Sequence, residues 1–484
     1  MAKTTMLNIG DRRELFVDDL LVEKMRRTAF KLHQPVPREL ALVHDHPCEG
    51  PATIYHTVIQ DGNRVLLYYR GKNRKLDTEV YCVAESKDGI NFTRPALDIC
   101  PLPGMKRNNV ILMDPGPSHN FAPFLDLNPR VKPSERFKAL GRASRLDRQQ
   151  KHALLAFSSP DGLHWKPLQK TPVIVNDTEM LAFDSQNVSF WSESENCYVT
   201  YYRTWSSRCA MAPTSRNAAK RIRRISRATS PDYRHWTGST EMSYRTCGRP
   251  SPMEEFYTNQ TLPYFHAPHI YVAMPARFMK ARRAISDEEA QAIQVHPGQR
   301  NDCSDACFMT SRPGRDYYDR TRMEAWLRPG IGPEYWSARN NYPAHGVIQT
   351  GSAEMSVYID DHYQQPGNRL RRYVLRLDGF MSINAPYAGG EALTRPFVFT
   401  GGELELNYQT SAAGELRVEL QTAAGRPIPG YTLKEADALF GNFIAGRATW
   451  RGGAKSVAQL AGRNVRLRFV MRDADLYSLR FIKA

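Results

Sequence analysis

The sequence predicts an all-β protein, a five-bladed β-propeller followed by a C-terminal β-sandwich. Three observations predict it: a turn motif that recurs, β-like runs that precede each copy, and a change of texture after Asp378. The motif reads SKDGINF at 86–92, SPDGLHW at 159–165 and SPDYRHW at 230–236, with a degenerate SRPGRDY at 311–317. The copies are 71 to 81 residues apart. In each, a serine and an Asp-Gly or similar turn lead into an aromatic residue, as a tight hairpin needs. A fixed period of this length marks a repeated supersecondary unit.

Each unit holds three strands before its turn. In the first they are expected at 52–59, 64–69 and 79–84, and in the third at 187–191, 198–203 and 224–228. These runs are rich in Val, Ile, Tyr and Phe and are broken by polar turns. Three strands and a closing aromatic strand make a four-stranded blade. Four units fill residues 48 to about 320, and a fifth fits 346–377, with strands at 353–359 and 372–377. The run 14–22 is expected to close the ring, because closure hides the sheet edges that would otherwise be open. The one convincing helix is 286–293, with a serine cap and an acidic first turn. From 388 to 484, short strands at 395–400, 403–408, 415–421, 465–471 and 477–482 predict a single sandwich. The expected domains are therefore 1–387 and 388–484.

Composition bounds the rest. The 484 residues are 41% hydrophobic and 24% charged, which describes a globular chain long enough for two cores. No apolar run is long enough for a membrane helix. The opening MAKTTMLNIGDRREL lacks the core of a secretory signal, which predicts a cytoplasmic chain, or a secreted or periplasmic one if a leader is removed. The net charge of +16 first suggests nucleic acid. The arginines are scattered, however, and the densest cluster, 220–227, alternates charge with isoleucine, so no nucleic-acid partner is expected. Solubility is the bland reading of the charge, and an anionic substrate is the useful one. Of the eight cysteines only Cys303 and Cys307 are close, and a single CxxxC is a poor zinc signal, so no metal and no cofactor are expected.

In a propeller the innermost strands converge on one mouth of the channel. Polar residues at their starts are Glu49 in the first blade, His119 and Asn120 in the second, and Asp184 in the third. The fourth offers Glu254 and Glu255, and the fifth His345. Glycoside hydrolysis needs carboxylates that face one another, one protonated and one ionised, so Glu49, Asp184 and Glu255 are the catalytic candidates. Asp184, in Phe183-Asp-Ser-Gln-Asn187, is open to a turn-capping role as well as a catalytic one, and Gln186 beside it is a substrate contact. Glu49 reads equally as a loop carboxylate. Of the adjacent pair at 254 and 255 only one can face the channel, and Glu255 is preferred. Arg70, Arg203 and Arg277 end second strands, and with Arg320 they either brace blades or bind an anionic group. Tyr257, Trp205, Trp336 and Tyr342 are candidates for stacking on sugar rings. Asp319, Arg320 and Glu324 form a further polar knot, with Glu324 as a reserve acid.

The FVDD opening, the SxDGxxW turns, FDSQN and the closing RLDGF resemble the five-bladed glycosidases of the invertase/levanase and arabinanase/xylosidase families. The resemblance implies a funnel-shaped site with an acidic base or nucleophile in the first blade, an Asp in a middle blade and a Glu acid later. By position these fall on Glu49, Asp184 and Glu255. The leading expectation is thus a hydrolase of plant or algal glycans. A phosphorolytic glycosidase of the mannoside-phosphorylase kind and a catalytically silent glycan-binding propeller are its rivals. Channel carboxylates about 5 to 10 Å apart would favour hydrolysis. One carboxylate facing clustered Arg and His would favour phosphorolysis, and dispersed carboxylates binding alone.

Overall fold

The structure, a computed structural model, describes residues 7–72, 79–105, 107–143, 153–176, 182–206, 222–245 and 255–483. Five sheets follow one another along the chain as blades, antiparallel except for one pair in the fourth, where Ser243–Arg245 runs parallel to Tyr317–Asp319. The first is Ile54–Asp61, Arg64–Gly71, Val80–Ser86 and Val110–Leu112. The second is Ala122–Leu125, Phe137–Arg142, Ala153–Ser159 and Lys166–Pro167. The third is Val188–Ser192, Cys197–Ser206, Ile222–Ser230 and Thr240–Glu241. The fourth runs outward from Leu262–Tyr264 through Ala267–Ala273 and Met309–Ser311 to Tyr317–Asp319. A small companion sheet holds Glu255–Phe256, Ala276–Met279 and Cys303–Ala306. The fifth is Tyr342–Pro343, Glu354–Asp361 and Arg369–Arg376. Because blades stack face to face, their strands are apolar on both sides, and Val65, Leu66, Leu67, Tyr68 and Tyr69 are all buried.

The innermost strands are laced together at the axis. Thr57 and His345 bridge the first and fifth blades, with Val58 N donating to His345 O at 2.7 Å. Gln186 Nε2 reaches Thr57 Oγ1 at 2.7 Å, and Gln260 Nε2 reaches Gln186 Oε1 at 2.7 Å and Pro343 O at 2.8 Å. The ring is closed, but not by the run at 14–22. Val36–Val43 pairs antiparallel with Arg369–Arg376 as the outer strand of the fifth blade. Glu14–Leu15 instead pairs with Val465–Ile482, and Val22–Arg26 with Gly390–Thr394. The reason lies in burial: Phe16, Leu21 and Val22 join a core with Phe399, Leu406 and Phe469, whereas Val36–Val43 keeps the exposed charged face of an edge strand.

The expected boundary at 387 moves accordingly. One compact unit takes the described residues up to Gln34, Gly351–Met355 and those from Leu375 onward, and the propeller takes the rest. In the former, 403–408 and 415–421 belong to one strand, Glu403–Thr422, and 465–471 and 477–482 to another, Val465–Ile482. Register shifts near Asn407 and between Thr410 and Glu415 let this long pair bend without breaking. The one α-helix among the described residues, Asp287–Ala292, carries the expected Ser286 cap in a capping box with Glu289. Among the described residues no helix is long and apolar enough to cross a membrane.

The recurrent turn has one mechanism. Ser86 Oγ accepts from Gly89 N at 2.9 Å, and Asp88 Oδ1 accepts from Ile90 N and Asn91 N at 2.8 and 2.9 Å. Ser159 and Asp161 repeat this with Gly162, Leu163 and His164. Asp232 does the same for Arg234 and His235. The glycine position has φ of 71° at Gly89 and 81° at Gly162, and Tyr233 takes it at 65° with its ring fully buried. A Cβ on Gly162 would collide with the Tyr68 hydroxyl, which itself donates to Gly162 O at 3.0 Å. Gly162→Ala should therefore lower stability by about 1–3 kcal/mol, read as a shifted denaturant midpoint at unchanged m-value.

Candidate functional site

Second strands of three blades each deliver an arginine to one mouth of the channel: Arg70, Arg142 and Arg203. Two adjoining cavities of about 390 and 200 Å³ open there, and both are lined by Arg70, His119, Arg339 and Tyr363. The larger adds Lys72, Glu79 and Arg142, and the smaller Tyr55, Asp184 and Tyr257.

Local backbone strain aims these groups. Tyr55 sits at φ 64° where the first inner strand bulges, and Phe183, at φ 62°, turns the chain just before Asp184. Asn120 fastens that turn: its Nδ2 donates to Phe183 O and Ser185 O, and its Oδ1 accepts from Arg142 N. Ser185 Oγ in turn donates to Tyr257 O at 2.6 Å.

At the centre one imidazole separates two carboxylates. His119 Nδ1 lies 2.7 Å from Glu79 Oε2, and its Nε2 lies 2.9 Å from Asp184 Oδ1. A single ring between them puts the carboxylates within the ~5–10 Å span that separates paired glycosidase carboxylates. Asp184 also meets Arg142 at 2.9 Å and Arg203 at 3.2 Å, while Glu79 meets Lys72 at 2.8 Å and Arg70 at 3.8 Å. Burial alone would raise the Asp184 carboxyl. The His119 hydrogen bond and the charges of Arg203 and Arg142 outweigh it and hold Asp184 far below the usual carboxylate range. Glu79 shows the same balance, with burial opposed by His119 and Arg70, and is likewise held ionised.

Three guanidiniums surround the Tyr257 ring: Arg203 and Arg223 at 4.9 Å and Arg339 at 5.3 Å from its centroid. Burial pushes the phenol up, but Arg339 and Arg203, aided by Arg223, bring it below its ordinary value. Arg339 is half-buried and touches Tyr363 Oη at 3.4 Å. It has no carboxylate within ion-pairing distance among the described residues.

Several expected site residues lie elsewhere. Glu49 does not line the mouth. Its fully buried carboxylate accepts from Tyr69 Oη at 2.6 Å and from Arg94 Nε and Nη2 at 2.7 and 2.8 Å, packed in the wall of the first blade. Glu255 pairs with Arg223 at 2.5 Å behind Tyr257 and lines neither cavity. Gln186 is the buried plug on the axis, and His345 is buried beside it. Arg277 is engaged by Asp305, Arg320 is buried against Cys307 Sγ at 3.1 Å, and Asp319 pairs with Arg245. Glu324 is solvent-exposed and lines neither cavity. Trp205 lies under Arg223 at 4.6 Å, Tyr342 packs on Tyr257, and Trp336 donates to Gly330 O on the surface. Glu254 lies outside the described residues. The structure therefore unites His119, Asn120, Asp184, Tyr257, Arg70 and Arg203, and adds Glu79, Arg142, Arg223, Arg339 and Tyr363. Arg142 could have been found by extending the strand-two arginine rule to the second blade. Arg339 and Glu79 sit in loops with no such register.

The sequence matches no family model, and no curated protein matches it. The solved structures it is similar to include a glycoside hydrolase, with 11% identity, a TM-score of 0.45 and coverage of 71% of this chain and 92% of that one. Another comes from a family of mannoside phosphorylases containing glycoside hydrolases that target β-1,2 mannosidic linkages in Candida mannan, at 11% identity and TM-score 0.42, covering 71% and 94%. A third is a fructofuranosidase of Schwanniomyces occidentalis, at 10% identity and TM-score 0.37, covering 92% and 98%.

Proposed function

We propose that the protein cleaves a glycosidic bond in a saccharide that carries an anionic group. The observation that carries this is Arg339, a guanidinium without a carboxylate partner, opening into both cavities beside the Asp184–His119–Glu79 bridge. A half-buried guanidinium with no carboxylate of its own is a seat for an anion of the substrate. Tyr55 and Tyr363 supply rings for sugar faces, and the sequence motifs resemble glycosidases. The same cluster of Arg and His favours a second reading, in which the anion is inorganic phosphate attacking the bond of a neutral sugar.

One screen separates the readings. Neutral, uronate-bearing and sulfated oligo- and polysaccharides are incubated with the protein, with and without phosphate, and new reducing ends or sugar phosphates are measured. Phosphate-independent cleavage confined to acidic saccharides is expected, with Arg339→Ala raising KM at least tenfold. Strict phosphate dependence on neutral sugars would install the second reading. Binding of glycans without turnover would overturn both.

A further inference from the structure

The carboxylates near the mouth are poorly placed to protonate a leaving group. Asp184 is held by Arg142, Arg203 and His119, Glu79 by His119, Lys72 and Arg70, and Glu255 by Arg223. A glycosidase needs one carboxyl group that keeps its proton at working pH. The group set apart here is a phenol. Tyr257 lies in the smaller cavity with its ring between Arg203, Arg223 and the unpaired Arg339.

We infer that Tyr257 carries the proton in this mouth, and that the bond is broken by elimination across a 4-linked uronate seated on Arg339, without water. The inference rests on the reading of an acidic saccharide substrate. The Tyr257 phenolate takes the proton from C5, forming O–H as C–H breaks. The electron pair passes toward the uronate carboxylate, whose charge Arg339 stabilises. It then returns to form the C4=C5 double bond as the C4–O bond breaks. The leaving oxygen receives the proton back from Tyr257, which restores the phenolate. One chain end becomes an unsaturated uronate and the other a new reducing end, and no oxidant, reductant or water is consumed.

The neighbouring phenols sharpen the contrast. Tyr55 and Tyr342 line or back the same wall and are equally buried, and burial drives both well above the ordinary tyrosine value. Only at Tyr257 do the arginines reverse the direction. That is the direction in which a phenol must shift to serve as a base.

The test uses the intact protein with polygalacturonate, alginate and chondroitin sulfate as probes. Expected is ultraviolet absorbance from a conjugated unsaturated uronate, rising in step with reducing ends on at least one probe. The product that carries the unsaturated uronate should be one water lighter in mass than its hydrolytic counterpart, and the product with the new reducing end should match hydrolysis. Tyr257→Phe should lose about 10²–10⁴-fold in turnover per folded molecule, a loss far beyond what any fall in melting temperature accounts for. Reducing ends without absorbance would overturn elimination while leaving cleavage of acidic saccharides standing. Failure to cleave any acidic probe would overturn both. The product mass from the unaltered protein decides the matter even if Tyr257→Phe does not fold.

Discussion

Asp184→Asn should lower turnover and stability together. The side chain holds two guanidiniums and the His119 imidazole, and its amide replacement leaves Arg142 and Arg203 facing each other with their common counter-charge gone. Breaking a largely buried ion pair from one side costs on the order of 3 kcal/mol, or about 5 °C in melting temperature. Arg203 also flanks Tyr257, so loosening it disturbs the site, and kcat/KM should fall about 10²-fold or more. The pH dependence has a definite sign. The Asp184 carboxyl is lowered in the folded state, so its contribution is complete above about pH 4, the ordinary aspartate value, and is lost as pH falls toward the folded value. The stability gap between the unaltered protein and the variant should be widest at neutral pH and shrink in acid. A gap that widens in acid would refute the assignment, as would full activity in the variant.

Glu49→Gln should behave in the opposite way toward activity. Its carboxylate is sealed in the blade wall with Arg94 and Tyr69 and lines neither cavity. An amide cannot accept from Arg94 through both oxygens, and the guanidinium loses its counter-charge. A loss on the order of 3 kcal/mol is expected, with kcat/KM per folded molecule unchanged. Thermal unfolding and kinetics on the same sample decide it, since a drop in turnover at unaltered melting temperature would restore Glu49 to the site.

These two residues show what could be read before the fold was known. The blades were legible because their turn chemistry is local: Ser159, Asp161 and Gly162 satisfy one another within four residues, wherever the blade lies. Strand-two arginines were legible by register, hence Arg70 and Arg203. Arg142 follows Leu140 and Gly141 rather than two tyrosines, and so escaped. Which way a loop carboxylate points is not local. The partner that takes Glu49 inward is Arg94, 45 residues on, and no spacing announces it. Ring closure posed the same problem. The sequence points to 14–22, but Val465–Ile482 claims Glu14–Leu15 and leaves Val36–Val43 to close the ring. Arg339 stands at φ 61° in a turn whose sequence, SARNNY, reads only as a loop.

The strand that closes the ring sets the order in which the propeller can be made. Val36–Val43 leaves the ribosome early, yet its partner, Arg369–Arg376, comes roughly 330 residues later. At about 5–20 residues per second, that is a wait of roughly 15 to 65 s with an unpaired edge strand tethered to a growing stack of blades. The first four blades can form as they emerge, because their strands follow one another in the chain. The mouth that holds Arg70, Asp184 and Arg339 together becomes complete only when the last blade arrives and captures the first-made strand, so binding competence should appear as the final, slow phase of folding.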